Sequence, residues 1–324
     1  MNQSEIIRES LREELTQFDV YLRQSIRNDN PRIMEIVNHV FNVNGKRLRP
    51  ILVFLSAKLC SSISEATYHA AVTVELLHTA TLVHDDVVDE SSMRRGQPSA
   101  NAVFDNRRSV LVGDYILSSA LHESLKTENL EVIHIIAELG KTLAEGELNQ
   151  YALANEIIID EREYFKVIDK KTASLMRACT QIGAITANAP QPVIEKLGEL
   201  GQKLGICFQI RDDIFDYYKT DVGKPTGNDI REGKITLPLI YALNFAPKEI
   251  SEEMRAIINR KDYSPENIEK LHQFAKQHGG IQYAFDKMEE YLIEAERIIK
   301  ELPFGNEYKQ MMELLLVYLR GRQF

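Results

Sequence analysis

Residues 70–89 read AAVTVELLHTATLVHDDVVD. An apolar run from Ala70 to Val83, interrupted by Glu75 and His78, leads into the acidic cluster Asp85-Asp86-Val87-Val88-Asp89. The run is too short to span a bilayer, which needs about 20 apolar residues. Only Pro50 and Pro98 bound the 47 residues from Ile51 to Gln97, and no proline occurs between Pro98 and Pro190. Proline breaks helices, so such long free intervals predict helices. Ile6, Leu11, Leu15, Phe18 and Leu22 recur at helical spacing, as do Leu130, Ile133, Ile136, Ala137 and Leu143. Asp160 with Glu163 reads as a capping box, and Ser264 before Pro265 as an N-cap followed by proline at the first helical position. Alternating strand patterns are nearly absent, and no βαβ repeat occurs. The predicted fold class is all-α.

Composition agrees. Of 324 residues, 44% are hydrophobic and 27% charged, and Gly is 16 and Pro 10, which excludes disordered, collagen-like and loop-rich all-β chains. The formal charge of −9 argues against a partner that is nucleic acid or an anionic membrane. Cys60, Cys179 and Cys207 lie far apart with no CxxC pair, which fits a reducing compartment. Met1 to Leu15 carries Glu5, Arg8, Glu9, Arg12, Glu13 and Glu14 and no apolar core, so a signal peptide is not expected and the predicted location is the cytoplasm. Breakers cluster at Asn44-Gly45, Arg95-Gly96-Gln97-Pro98, Ala189 to Pro192 and Gly223 to Gly233, none of them a linker. One domain over 1–324 is expected. Lys219 to Gly233, the longest candidate loop, is long enough to suggest function.

Asp212-Asp213-Ile214-Phe215-Asp216 repeats the DDxxD pattern of residues 85–89, again in apolar helical surroundings. On a helix, Asp85 and Asp89 share a face, as do Asp212 and Asp216. Two like charges about 5 Å apart repel by roughly 3 kcal/mol at an effective dielectric of about 20. A single such triplet is commonly a solvated helix face; two beside apolar runs call for cations. Oxygen-only ligands select a hard ion, and Mg²⁺ takes one or two carboxylates plus substrate phosphates. Basic residues alternate with the acids: Lys46-Arg47-Leu48-Arg49, Arg94-Arg95-Gly96, Lys170-Lys171-Thr172, Lys224 and Lys234. Such side chains receive phosphate oxygens. No glycine-rich phosphate loop, dinucleotide fingerprint, HExxH or GxSxG motif is present. His84, beside Asp85, reads more simply as a packed histidine than as a ligand.

These motifs resemble those of the trans-isoprenyl diphosphate synthases (polyprenyl synthetases), from about Gly45 to Leu239. The resemblance rests on Gly45 to Pro50, the first DDxxD with Arg94-Arg95-Gly96, Lys171-Thr172, Phe208-Gln209 before the second DDxxD, and Gly223-Lys224 through Asp229 to Lys234. Asn44 departs from the family's usual glycine. The resemblance implies an all-α bundle around a deep cavity, a homodimer, and two acidic helices facing each other. It implies that Asp85, Asp86, Asp89, Asp212, Asp213 and Asp216 hold about two to three Mg²⁺ ions on an allylic diphosphate. Arg94, Lys171, Thr172, Gln209, Lys224 and Lys234 would contact that allylic substrate. Lys46, Arg49, His78 and Arg95 would hold isopentenyl diphosphate. Asp85, Asp89, Lys171, Asp212 and Lys234 form the expected catalytic set. Condensation would proceed through an allylic carbocation sheltered from water, with the released pyrophosphate as base.

One helical turn, about 5.4 Å, is on the order of one isoprene unit. Short-chain members carry aromatics four and five residues before the first Asp. Here those positions are Thr81 and Ala80, so the cavity should continue toward Leu77, Leu76 and Val74. The expected product is long, about seven to ten isoprene units, for a quinone side chain. An aromatic elsewhere, such as Phe54 or Tyr115, would shorten it to the farnesyl or geranylgeranyl range. Two rivals are weaker. A terpene cyclase has no use for Lys46, Arg49 and Arg95, and a non-catalytic subunit of a hetero-oligomeric synthase tends to lose its acidic clusters. Transient membrane contact for product release draws no support from the charge.

Overall fold

The structure, a computed structural model, describes residues 2–42, 45, 47–156, 159–218 and 227–321. The fold is all-α. In chain order the helices are α1 (Gln3–Ser10), α2 (Arg12–Ser25), α3 (Pro31–Phe41), α4 (Leu48–Cys60), α5 (Glu65–Val88), α6 (Ala100–Phe104), α7 (Asn106–Leu125), α8 (Leu130–Glu156) and α9 (Glu161–Ile168). A π-turn over Asp169–Ala173 leads into α10 (Ser174–Thr186). Then come α11 (Gln191–Phe215), α12 (Asn228–Arg231), α13 (Leu237–Phe245), α14 (Lys248–Asn259), α15 (Pro265–Gln277), α16 (Gly280–Glu301) and α17 (Glu307–Arg320). Among the described residues the only strands are Met93–Arg94 and Gln97–Pro98, paired antiparallel. Arg95 (φ 52) and Gly96 (φ 79) make their two-residue turn, so this breaker cluster is a hairpin rather than a loop.

Contacts divide the chain into two compact units. One comprises Met1–Gly140, Met176–Gly201 and Glu301–Leu315; the other comprises Lys141–Leu175, Gln202–Lys300 and Leu316–Phe324.

The first unit is organised around α5. Ser64 caps it, exchanging hydrogen bonds with Thr67. Ala70, Val72, Val74, Leu76, Leu77, Ala80 and Val83 are all buried, so the helix is apolar on most sides and is surrounded rather than laid on a surface. Against it lies α7. A Cβ on Gly113 would come within 2.3 Å of His84 Nε2, so only glycine permits that approach. Glu75 is buried in α5 and is matched by Arg47, whose Nη1 donates to its Oε1 at 2.9 Å. Phe54 of α4 meets Phe18 edge-on at 6.2 Å and Tyr68 at 5.4 Å. Tyr115 receives a hydrogen bond from Asn28 Nδ2 at 3.3 Å.

In the second unit, Asp160 caps α9 by accepting from the amides of Arg162 and Glu163. The predicted reciprocal bond of a capping box is replaced by an ion pair of Glu163 with Lys166. Pro265 opens α15 as expected, although the Ser264 side chain makes no cap bond. The π-turn is seated against α11, where a Cβ on Gly205 would meet Ala173 Cα at 2.5 Å. Gln202 Nε2 donates to Asp169 Oδ1 at 2.6 Å. Arg211 is buried, donates to the Tyr318 carbonyl at 3.0 Å, and lies over the rings of Phe208, Phe215 and Tyr318.

The three cysteines are free thiols, each pushed up to about 12 by burial, and so unreactive. Among the described residues no helix is long and apolar enough to cross a membrane.

Candidate active site

Asp85 and Asp89 lie at the C-terminal end of α5, half-buried and one turn apart, while Asp86 between them is buried. Burying a carboxylate requires a partner, and Arg94 supplies it. Arg94 Nε donates to Asp86 Oδ1 at 2.8 Å, and its Nη2 to the same oxygen. Burial would lower the Arg94 pKa, but the carboxylates of Asp86, Asp85 and Asp89 raise it instead. Ser91 N and Asn101 Nδ2 both donate to the Asp86 carbonyl, at 2.9 and 3.1 Å, which fixes where the hairpin leaves α5.

Beside the hairpin is a small recess of about 60 Å³, lined among others by His39, Arg47, Glu75, His78, Arg94 and Arg95. Of the sequence-predicted residues, His78, Arg94 and Arg95 line it. His78 is held well below its ordinary pKa, first by burial and then by the guanidinium groups of Arg49, Arg95 and Arg94. Burial also lowers Arg49, whose buried Nε has no hydrogen-bond partner in the structure. An orphaned buried guanidinium donor is the signature of a site for an anion. Gly45 lies against the guanidinium of Arg95, where a Cβ would come within 2.5 Å of Nη1. Lys46 lies outside the described residues.

The second acidic cluster ends α11. Asp212 is exposed, Asp213 buried and Asp216 half-buried. Asp213 accepts from Tyr164 Oη at 2.6 Å and from Gln209 Nε2 at 2.8 Å, and Thr172 Oγ1 donates to Gln209 Oε1 at 2.8 Å. Burial raises the Asp213 carboxyl to about 7; the two hydrogen bonds oppose that rise, and Asp212 and Asp216 add to it. Asp216 accepts from the amides of Asn228 and Asp229 at 3.1 and 3.3 Å, which folds α12 back over the cluster. That brings in Asp229, raised well above the usual carboxylate range by burial and by Asp213 and Asp216. Its assignment was missed because no DDxxD spacing marks it; nearness to Lys234 in the Asp229 to Lys234 stretch was the available signal. Tyr164, equally missed, lies 49 positions from its partner.

Lys171 Nζ pairs with Glu147 at 2.5 Å, and Lys234 Nζ with Glu232 at 2.6 Å, so both predicted phosphate ligands have carboxylate partners. Gly146 lets the π-turn approach, since a Cβ there would be 3.0 Å from Lys171 N. Lys224 falls outside the described residues. His84 is a packed histidine near Asp114 and the Val110 carbonyl.

Among the described residues no three His, Cys, Asp or Glu side chains are already gathered into a metal cage. The donor chemistry nevertheless fits a hard divalent ion. Asp212, Asp213, Asp216 and Asp229 are oxygen donors in one another's field, and three of them, Asp213, Asp216 and Asp229, are pushed up, first by burial.

A profile of the polyprenyl synthetase family matches residues 30–275 and so runs through both compact units. An octaprenyl diphosphate synthase of Haemophilus influenzae is 36% identical over 91% of this chain and 89% of its own. The crystal structure of a decaprenyl diphosphate synthase from Rhodobacter capsulatus superposes with a TM-score of 0.93 at 35% identity, covering 99% of this chain and 100% of that one. A geranylgeranyl pyrophosphate synthase from Bacteroides thetaiotaomicron is 37% identical, with a TM-score of 0.86 over 99% of this chain and 100% of that one. With its all-α fold, paired acidic clusters and convergent arginines, the chain belongs to the polyprenyl synthetase family and is a prenyltransferase.

Proposed function

We propose that this chain is an all-trans long-chain polyprenyl diphosphate synthase, formed as one domain. It would condense isopentenyl diphosphate stepwise onto an allylic diphosphate, to a product of about C35–C50. The observation that carries the length is on α5. Thr81 and Ala80, four and five positions upstream of Asp85, are small, and Leu77, Leu76 and Val74 below them are aliphatic. Of the aromatics that could close the path, Phe54 packs on Phe18 and Tyr68, and Tyr115 accepts a hydrogen bond from Asn28. The octaprenyl and decaprenyl relatives agree with this length. The geranylgeranyl relative supports a second reading, a shorter product.

Asp85 and Asp89, with Asp212 and Asp216, are the groups to hold Mg²⁺. Bound there, the metal supplies positive charge against the departing diphosphate. Arg49, His78 and Arg95, with Lys46, bind isopentenyl diphosphate; a neutral His78 donates a hydrogen bond without adding charge. Lys171, Lys234 and Lys224 receive the allylic diphosphate, the first two by exchanging Glu147 and Glu232 for phosphate oxygens. Thr172 and Gln209 turn oxygens toward the cation. The apolar faces around α5 exclude the water that would quench it.

A homodimer is supported by Leu111, Leu121, Leu125 and Leu130, which are 63%, 50%, 60% and 83% exposed along α7 and the start of α8. Sedimentation should return twice 37.1 kDa.

The test is product analysis: purified chain, Mg²⁺, farnesyl diphosphate and labelled isopentenyl diphosphate, with the dephosphorylated alcohols sized by chromatography. A ladder ending at about C35–C50 supports the reading. A stop at C15–C20 keeps the family and overturns the length. No incorporation moves the weight to a required partner subunit.

A further inference from the structure

We infer that Tyr164 is a positioning residue of the allylic site, whose phenol fixes Asp213 so that Gln209 and Thr172 can present only one arrangement of acceptor atoms. The inference rests on the prenyl transfer proposed above and deepens it. Tyr164 is 7% exposed, and its hydroxyl donates to Asp213 Oδ2 at 2.6 Å. The other carboxylate oxygen accepts from the Gln209 amide nitrogen at 2.8 Å.

An amide is directional. Once its NH₂ end is committed to a carboxylate, its carbonyl end faces the other way, here toward Thr172. Thr172 must then donate, which it does at 2.8 Å. With its proton committed, the Thr172 hydroxyl keeps lone pairs and no free hydrogen, the state suited to facing developing positive charge. Remove Tyr164 Oη, and Asp213 is free to rotate. Asp213 then still accepts from the Gln209 amide, so Gln209 and Thr172 shift with it and their acceptor atoms lose their fixed place.

The placement of the aspartates is consistent with this division of labour. In both DDxxD motifs the middle residue is the buried one and is held by protein, Asp86 by Arg94 and Asp213 by Tyr164 and Gln209. Asp212 is exposed and Asp216 half-buried. The π-turn gives the chain a reason to be distorted here. It carries Lys171 and Thr172 and is seated on α11 by Gln202 and Gly205, so relay and phosphate ligand are set by one piece of backbone.

The experiment compares wild type, Tyr164→Phe, Gln209→Leu and the double variant, with farnesyl diphosphate and isopentenyl diphosphate as substrates. Thermal unfolding is recorded for each. Tyr164→Phe removes only the hydroxyl. It should lower kcat about 10- to 100-fold, the range of outer-shell substitutions, and leave both KM values within about twofold. It should cost nothing further on the Gln209→Leu background, where the relay is already cut. Thr172→Val cuts the far end without touching Asp213 and must show the same non-additivity, which covers a Gln209→Leu chain that fails to fold. An unchanged kcat in Tyr164→Phe overturns the proposal, and so do losses that multiply in the double variant. No turnover by wild type overturns the parent reading first, before any variant is compared.

Discussion

Replacing Thr81 with phenylalanine measures how deep the hydrocarbon path runs. Thr81 lies one turn below Asp85 on the same face of α5, so at about 1.5 Å per residue it is roughly 6 Å down, on the order of one isoprene unit. It is half-buried, and its hydroxyl is satisfied inside its own helix by the His78 carbonyl at 2.8 Å. A phenyl ring here stands where short-chain members carry an aromatic, so the product should fall to about C15–C20. Ala80 is the instructive control. It is 1% exposed and points round the helix toward the side of His84, which already touches Gly113 of α7. Ala80→Phe should therefore overpack the α5–α7 contact, costing about 1–3 kcal/mol, with a lowered melting temperature whatever its product. The assay is reversed-phase sizing of labelled alcohols from both variants, with calorimetry beside it. A Thr81→Phe chain that makes the wild-type ladder at the wild-type rate would show that the path leaves Asp85 by another face.

Asp85→Ala should cut condensation by about a thousandfold or more while leaving the unfolding temperature near that of wild type, because the side chain is there to hold charge at the reacting diphosphate; full activity in a radiolabel assay would remove its metal role. Arg47→Ala strands Glu75, 6% exposed, without the guanidinium that neutralises it. The expected cost is about 3–5 kcal/mol, read by chemical denaturation; a loss below about 1 kcal/mol would mean that another group compensates Glu75. For pH, His78 is harder to protonate in the folded chain than in the unfolded one, where its value is 6.5. The unfolded chain therefore binds the extra proton as pH falls through about 6.5, and stability falls with it. The melting temperature of wild type should drop more steeply below that pH than that of His78→Gln, and parallel curves would contradict the burial of this imidazole.

Much of the chemistry was readable because it is written in local spacing. A DDxxD on a helix places its first and last carboxylates on one face whatever the tertiary structure, and the absence of proline over long intervals leaves few alternatives to helix. What escaped depends on partners distant in sequence. Nothing near residue 164 announces that its phenol meets residue 213, and nothing near Glu75 announces Arg47. The hairpin at Arg95-Gly96 was visible as a breaker but not as paired strands, since two residues on each side carry no alternation to read. Division into two compact units is likewise invisible to composition, because the second unit is assembled from three separated stretches. The middle aspartates show the limit most sharply. Spacing puts the first and last acids of each motif on one face but does not say what becomes of the middle one; burial does, pinning Asp86 on Arg94 and Asp213 on Tyr164 and Gln209 while their neighbours stay more open. A buried carboxylate held by several donors is poorly placed to move toward a metal, so the same pattern that attracts the ion also builds the scaffold that aims its ligands.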